Sequence, residues 1–244
     1  VSAPWRCLRF DIGRKQVRQR LGSDQFTWLS GQMAASTATW QLLGQQVLMA
    51  RVAFPVSVLA ALNSTDTSPE ALAAGSAAVT AYRGAKATPA AQRTPEQAAL
   101  MDPRLRPQLG RLHRGARGRA GHRAGAGQAA AGDTHNAWHS QLTLMGLDDP
   151  SLAGVKVGEE FATASVSSPG LEAVLALPGA QVKGIFEAVV DDLNWVDPAQ
   201  RGWLKMSFTA SQAKGEWIFV DTVVSSDYRA SVGHTAVYAA ATGR

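Results

Sequence analysis

Cysteine is nearly absent from this 244-residue chain, where Cys7 stands alone. That excludes an internal disulfide framework and a thiolate metal cluster, and it leaves the redox compartment open. No run of about 18 apolar residues occurs, so no membrane-spanning helix is expected. Val1 to Arg20 is Arg-rich and lacks the apolar centre of a secretory leader, so no signal peptide is expected either. Acidic residues are missing from 104–123, the segment that holds Arg104, Arg106, Arg111, Arg114, Arg117, Arg119 and Arg123. Without those seven arginines the formal charge of +5 becomes −2, so the basicity is local and the rest of the chain is mildly acidic. Aromatic residues are missing from the same segment, which argues against a surface that stacks single-stranded bases, and no specific nucleic-acid partner is expected.

What remains is ordinary globular material. A hydrophobic content of 45% supports a packed core, and the length suits one large domain or two small ones. Arg14 to Arg20 reads as a solvated connection. From Ser23 the pattern turns helical, with Phe26, Leu29 and Met33 on one stripe. Thr39 to Leu43, continued as Gln45 to Met49 after a break at Gly44, reads as a buried strand. Residues 50–103 are Ala-rich and predicted helical, a peripheral cover over a sheet. Within them Ser68-Pro69-Glu70 is a helix start with Leu72, Val79 and Tyr82 as its apolar stripe, and Thr94 to Gln97 is a capping box.

The most chemically pointed stretch is Ala131-Gly132-Asp133-Thr134-His135-Asn136-Ala137-Trp138. A carboxylate and an imidazole stand two residues apart behind a glycine. If Gly132 closes a strand, both side chains can turn into the crevice at the strand's carboxyl end. The carboxylate suits Ca, Mg, Mn or Fe(III), and the imidazole adds Zn. Isolated Asp-x-His tripeptides are more often polar turns than metal sites, so the weight comes from what surrounds this one.

Beyond it, Gln141 to Leu144 and Val155 to Phe161 alternate as strands around a turn-rich loop. His139 reads as a surface or packing histidine. Ser167-Ser168-Pro169-Gly170 is either the rim of a site or the cap of a helix over 171–177. Ile185, Phe186, Val189, Val190 and Leu193 form a helical apolar face. Leu204, Met206 and Phe208 alternate against Ile218, Val220 and Thr222 as a hairpin whose turn lies within 210–215. His234 and residues 223–244 read as a frayed tail.

Several separated stretches together resemble the alkaline phosphatase D (PhoD-like) metallophosphatase family. These are Leu21 to Leu29, Trp40-Gln41-Leu42-Leu43-Gly44-Gln45-Gln46-Val47, Gly132 to Trp138, Glu160 to Gly170, Arg201-Gly202-Trp203 and Trp217 to Val223. The resemblance implies an α/β fold, part of a calcineurin-like metallophosphoesterase sandwich with mixed sheets flanked by helices. Residues 1–222 correspond to the C-terminal half of such a domain, truncated at the N-terminus. It implies a metal-dependent phosphoric-ester hydrolase acting on phosphate-ester small molecules through two-metal water activation, with Fe and Ca as the cofactors. Asp133 and His135 are the implied metal ligands, His135 the catalytic ligand or proton carrier beside the leaving group, and Asn136 a substrate-side or supporting donor. Full-length members of this kind are expected in the periplasm or outside the cell.

Two departures qualify that picture. Where relatives place a histidine after the helix that ends near 190, this chain offers only Asp192, to which no ligand role is transferred. Where relatives carry an acidic, β-branched segment, residues 104–130 are Arg-, Gly- and Ala-rich, so the strand that should aim Asp133 is weakly specified. Either that segment derives from a shifted reading frame or it is a basic, flexible loop that attracts phosphate. The early ligands of the family have no counterpart here, so the chain is expected to be inactive alone. The alternative is a non-catalytic module that binds polyanions through Arg104 to Arg123.

Overall fold

The computed structural model describes residues 22–46, 48–62, 64, 66, 68–102, 108–109, 127–144, 150–175 and 177–240. In chain order its elements are α1 (Ser23–Ala35), β1 (Gln41–Gly44), β2 (Val52–Ala53), α2 (Val56–Leu62), α3 (Pro69–Ala87), α4 (Pro95–Met101), β3 (Gln108–Leu109), β4 (Gly127–Ala131) and β5 (Ala137–Thr143). β6 (Lys156–Ala162), the single helical turn Leu171–Val174, α5 (Gly179–Val189), β7 (Leu193–Asp197), β8 (Arg201–Phe208), β9 (Gln212–Val220) and β10 (Ala230–Ala239) complete them.

The architecture is the expected mixed α/β sandwich. Five strands form one sheet in the order β1-β4-β6-β5-β7, and three form a second in the order β10-β9-β8. β1, β4 and β6 run parallel, whereas β5 is antiparallel to both of its neighbours. One face of the larger sheet carries Ala131, Trp138, Ala162 and Val196 against Phe54, Val58, Tyr82, Val182, Phe186 and Val189 of the helical layer. The other face packs Ala137 and Phe161 onto Trp217, Phe219 and Ala236 of the smaller sheet. Two apolar interfaces therefore enclose the larger sheet, and an element buried on both faces cannot slip in register without exposing one of them.

Local chemistry placed the helix starts correctly. Ser68 Oγ accepts from the amide of Ala71 at the head of α3, and Thr94 and Gln97 complete a reciprocal capping box on α4. The hairpin of β8 and β9 is also as expected, but its turn is tighter: Phe208 already pairs with Ala213, Met206 faces Gly215 and Leu204 faces Trp217.

Several expectations are corrected. The tail is not frayed over 230–239, because β10 pairs along its length with β9 and buries Ala236. β4 forms as an interior strand despite its Gly and Ala content. Ladders to β1 and β6 satisfy both of its edges, and Ala129 and Ala131 are buried, so tertiary context overrides intrinsic preference. Residues 50–103 are not only a cover, since Val52, Phe54, Val58 and Tyr82 lie in the main core. They are few but fully enclosed, and burial of such side chains contributes about 1.5–3 kcal/mol each. Leu72 stays exposed, Leu193 opens β7 instead of extending the helix, and the strand expected over 39–49 is regular only at Gln41–Gly44. Of the basic segment, Arg104, Arg106, Arg111, Arg114, Arg117, Arg119 and Arg123 lie outside the described residues, and so does the polyanion-binding alternative that rests on them.

Candidate functional site

The three parallel strands β1, β4 and β6 end at the same edge of the sheet, and the loops that leave them meet there. β4 ends at Ala131, and the chain crosses above the end of β6 to enter β5 on its far side. The crossing is a tight turn in which the His135 amide donates to the Gly132 carbonyl at 3.2 Å. His135 has φ 57°, a left-handed conformation that histidine adopts more readily than most side chains do. Asp133 and His135 therefore sit within one four-residue turn at the carboxyl end of a parallel strand, as the glycine-led motif predicted.

Three anchors fix this turn. The carbonyl of Gln46, in the loop after β1, accepts from the amides of Gly132 and Asp133 at 3.2 and 2.9 Å. The amide of Thr163, just after β6, donates to the carbonyl of Ala131 at 2.8 Å. Trp138 is buried against Phe186, with centroids 5.0 Å apart, and its indole N–H donates to Thr134 Oγ1 at 3.2 Å. The aromatic residue of the motif thus pins the turn to the main core.

Asp133 is exposed and His135 half-buried. The Asp133 carboxylate forms no side-chain hydrogen bond or ion pair with the described residues, so its charge is available to a cation. His135 Nδ1 lies 3.3 Å from the carbonyl of Pro169 in the loop after β6. That contact brings Ser167-Ser168-Pro169-Gly170 beside the turn, and the same loop also leads into the helical turn at Leu171. Asn136 is fully buried, and its amide donates to the Pro198 carbonyl at 2.7 Å. The structure thus places it behind the turn rather than at the solvent face.

Among the described residues no group of three or more His, Cys, Asp or Glu is arranged to hold a metal ion. A hard carboxylate oxygen and an imidazole nitrogen on one anchored turn nevertheless fit two positions in the shell of a hard cation. Asp192 is not among the donors. It is buried, paired with Arg51 and bonded to Thr143, which agrees with withholding a ligand role from it. His139 is a packing histidine on the opposite sheet face, bonded to Glu159 at 2.7 Å and stacked on Phe161.

Sequence reasoning missed the surroundings of the turn, namely the Pro169 carbonyl, the Gln46 carbonyl and an ion pair between Arg201 and Glu172. Arg201 and the 160–170 stretch were both visible as landmarks of the resemblance, but nothing in their spacing showed that they meet.

Fold and site together define a layered α/β sandwich with potential cation ligands at the carboxyl ends of its parallel strands. A family-level sequence match to "PhoD-like phosphatase" spans residues 8–217, and the chain belongs to that family. A solved structure of PhoD is similar in fold over 92% of this chain, with a TM-score of 0.51 and 17% identity. The chain spans 34% of the length of that relative. No curated protein matches it.

Proposed function

We propose that this chain is part of a metal-dependent phosphoric-ester hydrolase, of the alkaline phosphatase or phosphodiesterase type, and contributes Asp133 and His135 to its metal centre. The observation that carries this reading is the placement of both groups on one anchored turn at the carboxyl ends of β1, β4 and β6, with the Asp133 carboxylate exposed and unpaired among the described residues. Family membership supports the reaction class, and the resemblance supports Fe and Ca as the ions and phosphate mono- and diesters as the substrates.

When bound, metal ions would stabilise charge on the phosphoryl oxygens and lower the pKa of a bound water. Asp133 would supply a negative hard ligand. His135 would supply a neutral nitrogen ligand, or carry a proton beside the leaving group. Asn136, held by its hydrogen bond to the Pro198 carbonyl, would fix the backbone next to His135, since groups behind the ligands set ligand orientation. With only two donors on the described residues, the remaining ligands belong to parts of the enzyme outside them. A periplasmic or extracellular setting fits the family. No described helix is long and apolar enough to cross a membrane.

The test compares the chain with its Asp133→Ala and His135→Ala variants for Ca²⁺ and Fe³⁺ retention after gel filtration, and for hydrolysis of p-nitrophenyl phosphate. Weak metal retention that both variants lose, with turnover at background, is the expected result. Retention equal in all three proteins would overturn the reading. Turnover well above background that vanishes in Asp133→Ala would show that no further ligands are needed.

A further inference from the structure

The ring of His135 meets a backbone carbonyl, and that fixes where its proton lies. A carbonyl can only accept, so the 3.3 Å contact between His135 Nδ1 and Pro169 O is a hydrogen bond only when Nδ1 carries hydrogen. The Nε2 lone pair is then the one through which a neutral ring can bind a cation. This matters only if Pro169 is held in place, and the structure holds it from several sides.

Glu172 sits at the centre of that support. Its Oε1 accepts from the Gly170 amide at 3.4 Å and forms an ion pair with the Arg201 guanidinium. Arg201 Nη1 in turn donates to the carbonyls of Ala199 and Gln200 at 2.6 and 3.1 Å. Asp197 Oδ1 accepts from the amides of those two residues at 2.9 and 2.8 Å. Upstream, Ser165 Oγ accepts from the Ser168 amide at 2.8 Å, and the Ser165 carbonyl accepts from Gly202 at 3.0 Å. Gly170 is wedged so closely that a Cβ there would lie 2.4 Å from Asn136 Nδ2 and 2.8 Å from Pro198 O. Both side chains of the ion pair are largely buried, at 12% and 21% exposure for Arg201 and Glu172, and such pairs hold geometry better than surface ones do.

We propose that Arg201 and Glu172 are positioning residues that clamp the 165–170 loop, so that the Pro169 carbonyl holds His135 in its Nδ1–H tautomer with Nε2 as the metal-facing nitrogen. This rests on the proposed metal role of His135, but the tautomer is a property of the protein without metal. The clamp also explains why the family-like landmarks 160–170 and 201–203 fall next to each other in space: one carries the carbonyl and the other the cation that locks it.

The test is ¹⁵N-labelled histidine NMR of the metal-free chain at a pH where the rings are neutral. In the unmodified protein His135 is expected to show a protonated-type shift at Nδ1 and an unprotonated-type shift at Nε2. In Arg201→Ala the Nδ1–H population should fall by about tenfold relative to Nε2–H, as befits loss of one hydrogen bond. Glu172→Gln, which still accepts from Arg201, should stay close to the unmodified pattern. The His139 signals, on the other sheet face, report whether each variant is folded. An Nε2–H tautomer in the unmodified protein, or an unchanged tautomer in folded Arg201→Ala, would overturn the proposal. Should Arg201→Ala not fold, the unmodified protein alone still decides the tautomer, and Gly170→Ala, which pushes the loop from the other side, decides the clamp. A failure to bind metal would leave these shifts untouched, so the two readings fail separately.

Discussion

Arg51 grips Asp192 at two points, Nε to Oδ2 at 2.6 Å and Nη2 to Oδ1 at 2.8 Å, and so joins the loop after β1 to the loop after α5. Asp192 is almost fully buried, and Thr143 Oγ1 also donates to its carboxylate. The hydrogen bonding of the guanidinium to Asp192, reinforced by the charges of Asp192 and Asp191, raises its pKa above the usual value even though burial lowers it. The family resemblance pointed near this position for a metal ligand, but here the carboxylate is structural.

Asp192→Ala should therefore destabilise the fold by about 3–5 kcal/mol, because it strands a partly buried guanidinium. It should leave metal retention by the turn unchanged. Urea denaturation measures the first effect, and metal analysis of the folded fraction measures the second.

Gln128 offers an opposite prediction. It is buried on β4, and neither its amide nitrogen nor its amide oxygen has a partner among the described residues. A buried polar group without a partner costs about 1–3 kcal/mol. Gln128→Leu, similar in volume, should raise stability by about that amount, read as a higher urea midpoint at an unchanged slope. A loss of stability would show that the glutamine is satisfied after all.

Between the two sheets His234 stacks on Trp195 at 4.0 Å, near His139, and its Nε2 is enclosed without a partner among the described residues. Desolvation first, then the charges of His139 and Lys183, push its pKa down to about 4 from 6.5. The titratable groups acting on it are His139 on β5 and Lys183 on α5. The fold prefers the neutral ring, so this contribution is complete above pH 6.5 and is lost as the pH falls to about 4. Burial raises the Glu159 carboxyl, but hydrogen bonds from His139 and Lys156 outweigh it and hold the carboxyl below its ordinary 4.5, so its contribution is lost at still lower pH. Acid unfolding should begin between pH 6.5 and 4. His234→Phe should flatten that part of the curve by about 1 kcal/mol, a figure discounted for the partial exposure of the ring. A curve identical to that of the unmodified protein would show that His234 contributes nothing.

Legibility in the sequence followed the range of the interactions. The caps at Ser68 and Thr94 and the Asp133 turn were readable because their determinants lie within four residues. The hairpin of β8 and β9 was readable because alternation persists through both strands. β4 was not, since Gly127 to Ala131 has little intrinsic strand preference and owes its form to ladders with β1 and β6. β10 was missed for a similar reason: Ala230 to Ala239 lacks clean alternation, and a bulge near Gly233 shifts its register against β9. The Glu172–Arg201 clamp joins residues 29 positions apart, and no local pattern announces such a pairing. The placement of Asp133 and His135 was available from sequence, but the support behind them was not.

Whether the Asp133 turn holds a cation is measured most directly by paramagnetic broadening of the amide spectrum with substoichiometric Mn²⁺. Signals of Asp133, Thr134, His135 and the adjoining Gln46 should fade first, and Asp133→Ala should abolish the effect. Broadening that begins elsewhere, for example around the exposed Asp227 or Glu187, and survives Asp133→Ala would contradict it.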